Sequence, residues 1–307
     1  MRSQLRCASC IVDDLRGALE TTVADERLRL PVLLEAMAWL GNEFNLERIP
    51  SYYITRVHRL LKERTGQDRP FAKLRRRCNA AGLDIRAHVA DRLHGIKSQV
   101  ERMQYLALWA IAGNHLDFRT VGTGYDLSTE DLLAQLEEIV SEGLAVNHTS
   151  ALLASARRGG QVLYLADNVG ELALDTLLVA EMQRYGCQVT VAVKGGPITS
   201  DAVWDDAHAV GMDKLAPIIQ TGPDTLGLPL DEMSPQVLSA LHAADLIVSK
   251  GQANYYACSE LADGLRADVF CLVRTKCLVA ASSLGLTRPW QNVAVLLATP
   301  RSSSGKE

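Results

Sequence analysis

The sequence predicts an α/β protein: a doubly wound, mostly parallel sheet with a helical N-terminal domain. Up to about residue 150, apolar residues mostly recur at spacings of three and four, which is the spacing of one helix face. After that point, short apolar runs alternate with helical segments, as in a parallel sheet covered on both faces. We therefore expect a helical domain over residues 1–150, an α/β domain over 151–300 and a polar tail over 301–307.

Two stretches of the helical half show this spacing most clearly. The predicted helix faces carry Leu30, Leu33, Leu34, Met37 and Leu40 in the first stretch, and Val100, Met103, Leu106, Ala107, Ala110 and Ile111 in the second. Asp68, Arg69 and Pro70 predict a helix start, because proline is favoured in the first turn of a helix. Residues 128–131 (Ser, Thr, Glu, Asp) predict another start, because acidic side chains interact favourably with the positive end of the helix dipole.

The α/β half is expected to alternate strands with helices. Apolar, β-prone runs predict strands over residues 161–166, 188–193, 216–221, 245–249, 268–274 and 292–298. Longer segments between them predict helices over residues 172–185, 235–243 and 255–265.

The composition argues against nucleic-acid and membrane partners. Aromatic residues make up 5% of the chain and the net charge is −4, so neither stacking platforms nor a basic excess is available. The cluster of Lys73, Arg75, Arg76 and Arg77 is interpreted as a solvated helix face, with nucleic-acid binding as the weaker alternative. No apolar run reaches the roughly 18 residues of a membrane span. The seven scattered cysteines fit a reducing cytoplasm, and the oligomeric state stays open.

Polar residues follow several of the predicted strands, and ligands of a doubly wound sheet bind at the carboxyl ends of its strands. These residues are Asp167, Asn168 and Glu171 after the first strand, Lys194, Ser200 and Asp201 after the second, and Lys250 and Asn254 after the strand over 245–249. We expect them to share one crevice.

Their chemistry suits a metal ion and a phosphate group. Carboxylate and amide oxygens are typical ligands of divalent cations, while lysines and backbone N–H groups bind phosphate oxygens. The structural alternatives are a helix cap at Asp167, an ordinary turn at Gly195 and Gly196 with a cap at Ser200 or Asp201, and a surface lysine at Lys250.

The helical half contributes one polar segment to this hypothesis. Gly113 interrupts a strong helix pattern and is followed by Asn114, His115 and Asp117. We interpret the segment as a wall of the pocket, with His115 as a packed side chain and metal ligation by His115 as the weaker alternative.

Cys7 and Cys10 form a CxxC pair, which alone is a weak signal for zinc or redox chemistry because zinc sites usually have four ligands. We interpret the two as buried thiols, and Cys277 is a further residue that could join them.

Several of these stretches together resemble the damage-control phosphatases, formerly the domain of unknown function 89, in the branch typical of archaea and some bacteria. The matching stretches are CASC (7–10), DRPFAKLRRRCN (68–79), AGNHLDF (112–118), ADNVGELALD (166–175), VKGGPITSDA (193–202) and VSKGQANY (248–255). They span almost the whole chain in the order of the family.

The resemblance implies an α/β metal-binding domain, related to that of methyltransferase-like proteins, and a helical region that forms part of the substrate pocket. It implies a divalent metal, with manganese, cobalt or nickel typical and magnesium a weaker substitute. Carried over by position, the metal ligands are Asp167, Asn168 and Asp201. Residues expected around the substrate are Glu171, Asn254, Lys194, Asn114, Asp117 and Ser200, and Lys250 joins Asp167 and Asp201 as a catalytic residue.

We therefore expect a metal-dependent phosphatase that hydrolyses a small phosphorylated metabolite, such as a sugar phosphate, a nucleotide or a phosphopantetheine-like molecule. The attacking group stays open between a metal-activated water and Asp167. Ser200, Val203 and Ala253 depart from the usual family pattern, which leaves a non-catalytic phosphometabolite-binding protein as one alternative. An S-adenosylmethionine-dependent carboxyl methyltransferase is the other, although the segment after the first strand is acidic rather than glycine-rich.

Overall fold

The computed structural model describes residues 1–120, 124–125 and 131–299. The helices are α1 (Leu5–Thr22), α2 (Glu26–Glu43), α3 (Pro50–Thr65), α4 (Ala72–Leu93), α5 (Gln99–Ala112), α6 (Leu132–Ser141), α7 (Thr149–Arg157), α8 (Glu171–Arg184), α9 (Trp204–Val210), α10 (Pro235–Ala243), α11 (Gly251–Leu261) and α12 (Leu278–Ser283). The strands are β1 (Arg119–Thr120), β2 (Gly124–Tyr125), β3 (Val146–Asn147), β4 (Gly160–Leu165), β5 (Cys187–Val193), β6 (Ile218–Gln220), β7 (Leu246–Lys250), β8 (Asp268–Arg274) and β9 (Asn292–Ala298).

The prediction of a doubly wound, mostly parallel sheet is confirmed. Within the described residues, seven strands form one sheet in the order β3-β9-β8-β7-β4-β5-β6. All neighbours pair in parallel except β8 and β9, which are antiparallel. The chain runs outward from β4 through β5 and β6, and then returns to the other side of β4 at β7. The carboxyl ends of β4 and β7 therefore flank a topological switch point, where such sheets bind ligands.

Side chains of alternate strand residues enter two separate cores, as the period of two in a strand requires. Tyr164 and Val248 belong to the core that includes side chains of α5, α7, α8 and α9. Leu163 and Ile247 belong to the core that includes side chains of α10, α11 and α12. The sheet is thus covered on both faces, which explains why its strands are nearly continuous apolar runs.

Helices α1 to α4 build a third core that contains Val32, Leu40 and Leu61. Met103 and Leu106 of α5 pack in the same core as Val162 of β4, and β3 pairs with β9, so both halves of the sequence contribute to the sheet layers. The division into domains at residue 150 stays a prediction.

Most predicted elements lie where the sequence placed them. Strands β8 and β9 and helix α10 have the predicted bounds, whereas α11 begins at Gly251, four residues before the predicted start. The start predicted at Asp68 to Pro70 lies just before α4, which begins at Ala72. Ser128, Thr129 and Glu130 and the tail over 301–307 lie outside the described residues, and α6 begins at Leu132.

The face predicted for α2 is confirmed at Leu40 and Leu33, which pack in the core, and is wrong at its other three residues. The helix buries Val32, Ala36 and Leu40, whereas Leu30, Leu34 and Met37 are exposed. On α5 the predicted face is buried except for Val100, which is exposed at the start of the helix. No described helix is long and apolar enough to cross a membrane.

Two leucines on α2 provide a direct test of its corrected orientation. Leu40 is 6% exposed and Leu34 is 54% exposed. Leu40→Ala leaves a cavity in the core and should lower the free energy of unfolding by about 2–5 kcal/mol. Leu34→Ala, the matched control, should change it by no more than about 0.5 kcal/mol. Denaturant unfolding measures both, and a larger loss for Leu34→Ala would contradict the orientation.

Candidate active site

The candidate site lies where the chain leaves β4. Two backbone hydrogen bonds join this segment to the loop after β5: the Ala202 N–H donates to the Asp167 carbonyl (2.7 Å) and the Val169 N–H donates to the Ser200 carbonyl (2.9 Å). Asn168 and Asp201 face each other in this short antiparallel bridge. The backbone thus brings together the three residues that were predicted as metal ligands.

Their side chains form a buried network of oxygen and amide groups. Oδ2 of Asp167 accepts hydrogen bonds from Nδ2 of Asn168 (2.7 Å) and Nδ2 of Asn114 (3.2 Å). Oγ of Ser200 donates to Oδ1 of Asn168 (2.8 Å) and so orients its amide. Oδ2 of Asp201 accepts the backbone N–H of Gly227 (2.8 Å). Each of these side chains is therefore held in a defined orientation.

Negative charge is in excess at this site. Among the described residues around the end of β4, four buried carboxylates accompany two buried lysines: Asp167, Glu171, Asp175 and Asp201 against Lys194 and Lys250. Burial, followed by the charges of Glu171 and Asp201, raises the pKa of Asp167 well above its usual range. With all four acids ionised, the arrangement has two negative charges in excess, the number that a divalent cation would balance, and the nearby ion pairs Arg75–Asp206 and Lys276–Asp117 add no net charge.

The donor set fits such a cation. Asp167, Asn168 and Asp201 offer carboxylate and amide oxygens, the ligands of hard and borderline divalent ions. Within residues 1–120, 124–125 and 131–299, no group of three or more His, Cys, Asp and Glu side chains is arranged to hold a metal, and the third predicted ligand is the amide of Asn168.

Gly251 leaves room beside Asp167. A Cβ atom at Gly251 would lie 1.7 Å from Oδ2 of Asp167, and its φ of +75° is one that glycine adopts readily. A larger residue here would displace the carboxylate.

Lys250, which was predicted as a catalytic residue, is buried and hydrogen-bonded within the protein. Its Nζ donates to the Ala110 carbonyl (2.9 Å), to Glu171 (2.8 Å) and to Asp175 (2.7 Å), which uses all three of its hydrogens. The two carboxylates raise the pKa of Lys250 despite the opposing effect of burial. Burial also raises the pKa of Asp175 to about 6, with Lys250 opposing the shift. Lys250 therefore stabilises the buried acids of α8.

Lys194 and Asn254 are also fully buried and act on the end of β4. Nζ of Lys194 donates to the Ala166 carbonyl (3.0 Å) and lies 3.6 Å from Oδ2 of Asp201. Nδ2 of Asn254 donates to the same carbonyl (3.0 Å) and to that of Lys250 (2.9 Å). Both residues were predicted to contact substrate. In the structure they support the backbone at the end of β4, and Lys194 also lies near the carboxylate of Asp201.

A cavity of about 220 Å³ opens beside the acids. Of the predicted site residues, those that line it are Asp167, Asn168, Asp201 and Asp117. Asn114 and Glu171 lie behind this wall, where Nδ2 of Asn114 donates to both Asp167 and Glu171.

Sequence reasoning missed Lys276, which lines the cavity and donates to Oδ2 of Asp117 (2.8 Å). The signal was present, because Lys276 closely follows β8, whose carboxyl end lies at the same edge of the sheet as that of β7. Arg6 and Gln252 also line the cavity and were missed.

Arg75 was predicted to lie on a solvated helix face, and this prediction is wrong. It is buried, unlike Lys73, Arg76 and Arg77, and it donates to the carbonyls of Thr199 (2.7 Å) and Asp201 (2.8 Å). Arg75 also forms a buried ion pair with Asp206. It therefore holds the loop that carries Asp201.

The structure excludes the helix-cap and surface-lysine alternatives, whereas it agrees with an ordinary turn at Gly195 and a packed His115. Gly170 and Val203 are the N-caps of α8 and α9, so neither Asp167 nor Ser200 nor Asp201 caps a helix. The Gly195 N–H donates to the Pro223 carbonyl (3.1 Å) and is not available to an anion. His115 pairs with Gln135 (2.7 Å), in agreement with a packed side chain.

Comparison with known proteins identifies relatives over almost the whole chain. A family model described as the damage-control phosphatase ARMT1-like domain matches residues 3–288. A damage-control phosphatase of Archaeoglobus fulgidus is 30% identical over 281 residues, covering 91% of this chain and 94% of that protein. One of Pyrococcus horikoshii is 30% identical over 286 residues, covering 92% and 94%. The crystal structure of a DUF89 family protein from Pyrococcus horikoshii matches with a TM-score of 0.84 at 26% identity, covering 97% of this chain and 100% of that one.

The buried position of Lys250 predicts a structural effect of its removal. Lys250→Met leaves Glu171 and Asp175 buried without their cation, so the free energy of unfolding should fall by about 3–5 kcal/mol. Lys214→Met, at an exposed lysine, is the control and should have little effect. Urea unfolding of both variants tests this, and equal stability of the two would show that Lys250 is not the stabilising cation.

Proposed function

The chain belongs to the damage-control phosphatase ARMT1-like family, and we propose that it is a metal-dependent phosphatase that acts on a small phosphorylated metabolite in the cytoplasm. The observation that carries this proposal is the excess of two negative charges among the buried residues around Asp167 and Asp201. The names of the relatives support phosphate hydrolysis as the reaction.

Asp167, Asn168 and Asp201 would hold the ion, with manganese, cobalt or nickel as the expected metals and magnesium as a substitute. A divalent ion bound there would polarise the phosphoryl group and offset its negative charge. The network beneath the site prepares its ligands: Ser200 orients Asn168, and Gly227 orients Asp201. Ser200 therefore fulfils a positioning role, which argues that its departure from the family pattern preserves the site.

Lys276 replaces Lys250 as the lysine proposed to bind phosphate. It lines the cavity that Asp167 and Asp201 also line, and its pairing with Asp117 fixes the direction of its side chain. An ammonium group in that position would bind phosphoryl oxygens and stabilise the charge that develops during transfer. The cavity of about 220 Å³ is smaller than typical ligand clefts of roughly 300–1,000 Å³, which favours a small metabolite.

The methyltransferase alternative gains no support from the site. The segment that follows β4 places buried Glu171 and Asp167 where a cofactor-binding turn would need glycines.

Asp201→Asn tests the metal site with nearly the same side-chain shape. Loss of the carboxylate charge should lower metal-dependent phosphate release at least about 100-fold, because even outer-shell partners of metal sites are worth about 10- to 100-fold. The assay uses metal-stripped protein, a panel of phosphometabolites and an aryl phosphate, with manganese, cobalt, nickel or magnesium restored.

Asp205→Asn is the matched control, because Asp205 is an exposed acid paired with Arg69. It should retain activity. Full activity of Asp201→Asn, with a fold confirmed by thermal unfolding, would exclude Asp201 as a metal ligand.

Lys276→Met tests the proposed phosphate contact. Loss of a charge-assisted hydrogen bond worth about 1.5–3 kcal/mol should lower kcat/KM roughly 10- to 100-fold. Lys214→Met serves again as the control at an exposed site. Steady-state kinetics with the best substrate measure the effect, and unchanged kcat/KM in Lys276→Met would remove Lys276 from the mechanism.

A further inference from the structure

The seven cysteines fall into two groups. Four are buried: Cys78, Cys187, Cys258 and Cys271. The other three, Cys7, Cys10 and Cys277, are partly exposed, so the prediction that Cys7 and Cys10 are buried is wrong. All three line the cavity that Asp167 and Asp201 line. Cys7 and Cys10 lie near the start of α1 and Cys277 directly precedes α12, so the fold brings together thiols from opposite ends of the chain.

The three thiols act electrostatically on Tyr256, which lines the same cavity. Burial first, and then the nearby thiols Cys277, Cys7 and Cys10, raise the pKa of the Tyr256 hydroxyl well above its usual range. Cys277 also acts electrostatically on Cys7, whose pKa is raised mainly by burial. These influences place Cys277 within electrostatic range of Cys7 and of Tyr256.

Each of two sulfur atoms has a defined position. Sγ of Cys277 accepts the N–H of Ala280 (3.5 Å) and lies 3.7 Å from the side-chain amide of Gln252. Sγ of Cys7 accepts the N–H of Gln4 (3.4 Å). The basic residues Arg6 and Lys276, adjacent in sequence to Cys7 and Cys277, line the same cavity.

The geometry distinguishes among the possible pairs. Cys7 and Cys10 lie three residues apart on one helix, where Cβ atoms are about 5–6 Å apart, while a disulfide requires about 3.5–4.5 Å. Cys277 lies on a different element, directly before α12, and acts electrostatically on Cys7. Among the described residues, these thiols are not part of a group of three or more His, Cys, Asp and Glu side chains that could hold a metal ion.

We propose that Cys7, Cys10 and Cys277 form a thiol modification site in the wall of the substrate cavity, where a low-molecular-weight disulfide oxidises Cys7 and Cys277 to a disulfide that blocks the cavity. One thiolate attacks the reagent, forms a mixed disulfide and releases one reagent thiol. The second cysteine then displaces the other reagent thiol. The two protein thiols are oxidised and the reagent is reduced to two thiols.

The expected loss of activity follows from the position of the Cys7–Cys277 disulfide. A disulfide would tie α1 to the segment before α12 across the cavity that is proposed to admit substrate. Loss of activity rests on the proposed phosphatase function, whereas formation of the disulfide does not.

The experiment treats the metal-loaded protein with oxidised glutathione and follows two readouts. Peptide mapping by mass spectrometry identifies the linked cysteines, and phosphate release is measured before oxidation, after oxidation and after dithiothreitol. We expect a Cys7–Cys277 linkage and loss of most of the activity, with recovery on reduction. Cys7→Ser and Cys277→Ser should each prevent the linkage and the inhibition, and each is compared with its own reduced form.

Cys10→Ser is the matched control, because it removes a thiol of the same cavity and keeps the proposed pair. It should still form the linkage and lose activity. Absence of the linkage in folded wild-type protein, its loss in Cys10→Ser, or a complete linkage without inhibition would each overturn the proposal. If the reduced protein releases no phosphate from any substrate, the phosphatase function fails, and the linkage pattern alone still decides whether the thiol site exists.

Discussion

The burial of four carboxylates against two lysines at the end of β4 is the constraint on which the rest of the structure depends. Such charges are costly to remove from water unless they are paired and hydrogen-bonded. Lys250 offsets this free-energy cost for Glu171 and Asp175, because it forms an ion pair with each of them. Asp201 accepts the N–H of Gly227 (2.8 Å), and Lys194 lies 3.6 Å from its carboxylate. What remains is negative charge beside a cavity, which is the condition for binding a cation.

The helical half of the chain is packed against this region and fixes its loops. Arg75 of α4 binds two carbonyls of the loop that carries Asp201, and Asn79 accepts the N–H of Gly170 before α8 (3.0 Å). Gly82 lies so close to that turn that a Cβ atom would be 2.2 Å from the Gly170 carbonyl oxygen. Helix α4 therefore supports the site through polar contacts and close backbone packing, which accounts for the basic and small residues along it.

Sequence alone could predict the strand ends, but it could not predict the direction of every side chain there. Apolar runs followed by Asp167 and Lys250 marked the right edge of the sheet, because buried parallel strands have no polar positions of their own. Whether a lysine at that edge enters the cavity or the layer beneath depends on its tertiary partners. Lys250 meets two acids of α8, whereas Lys276 meets Asp117 at the cavity wall. The buried face of α2 could not be predicted from sequence for the same reason. Two faces of this helix carry leucines, and only tertiary packing determines which face is buried.

Equilibrium binding of Mn²⁺ to the metal-stripped protein tests the central claim most directly, because it measures the charge imbalance without reference to any substrate. The account predicts that a single ion binds to each chain, that it raises the unfolding temperature, and that Asp167→Asn and Asp201→Asn both remove the binding. Binding that is absent in the folded wild-type protein, or that persists unchanged in both variants, would contradict the assignment of the buried acids as a cation site.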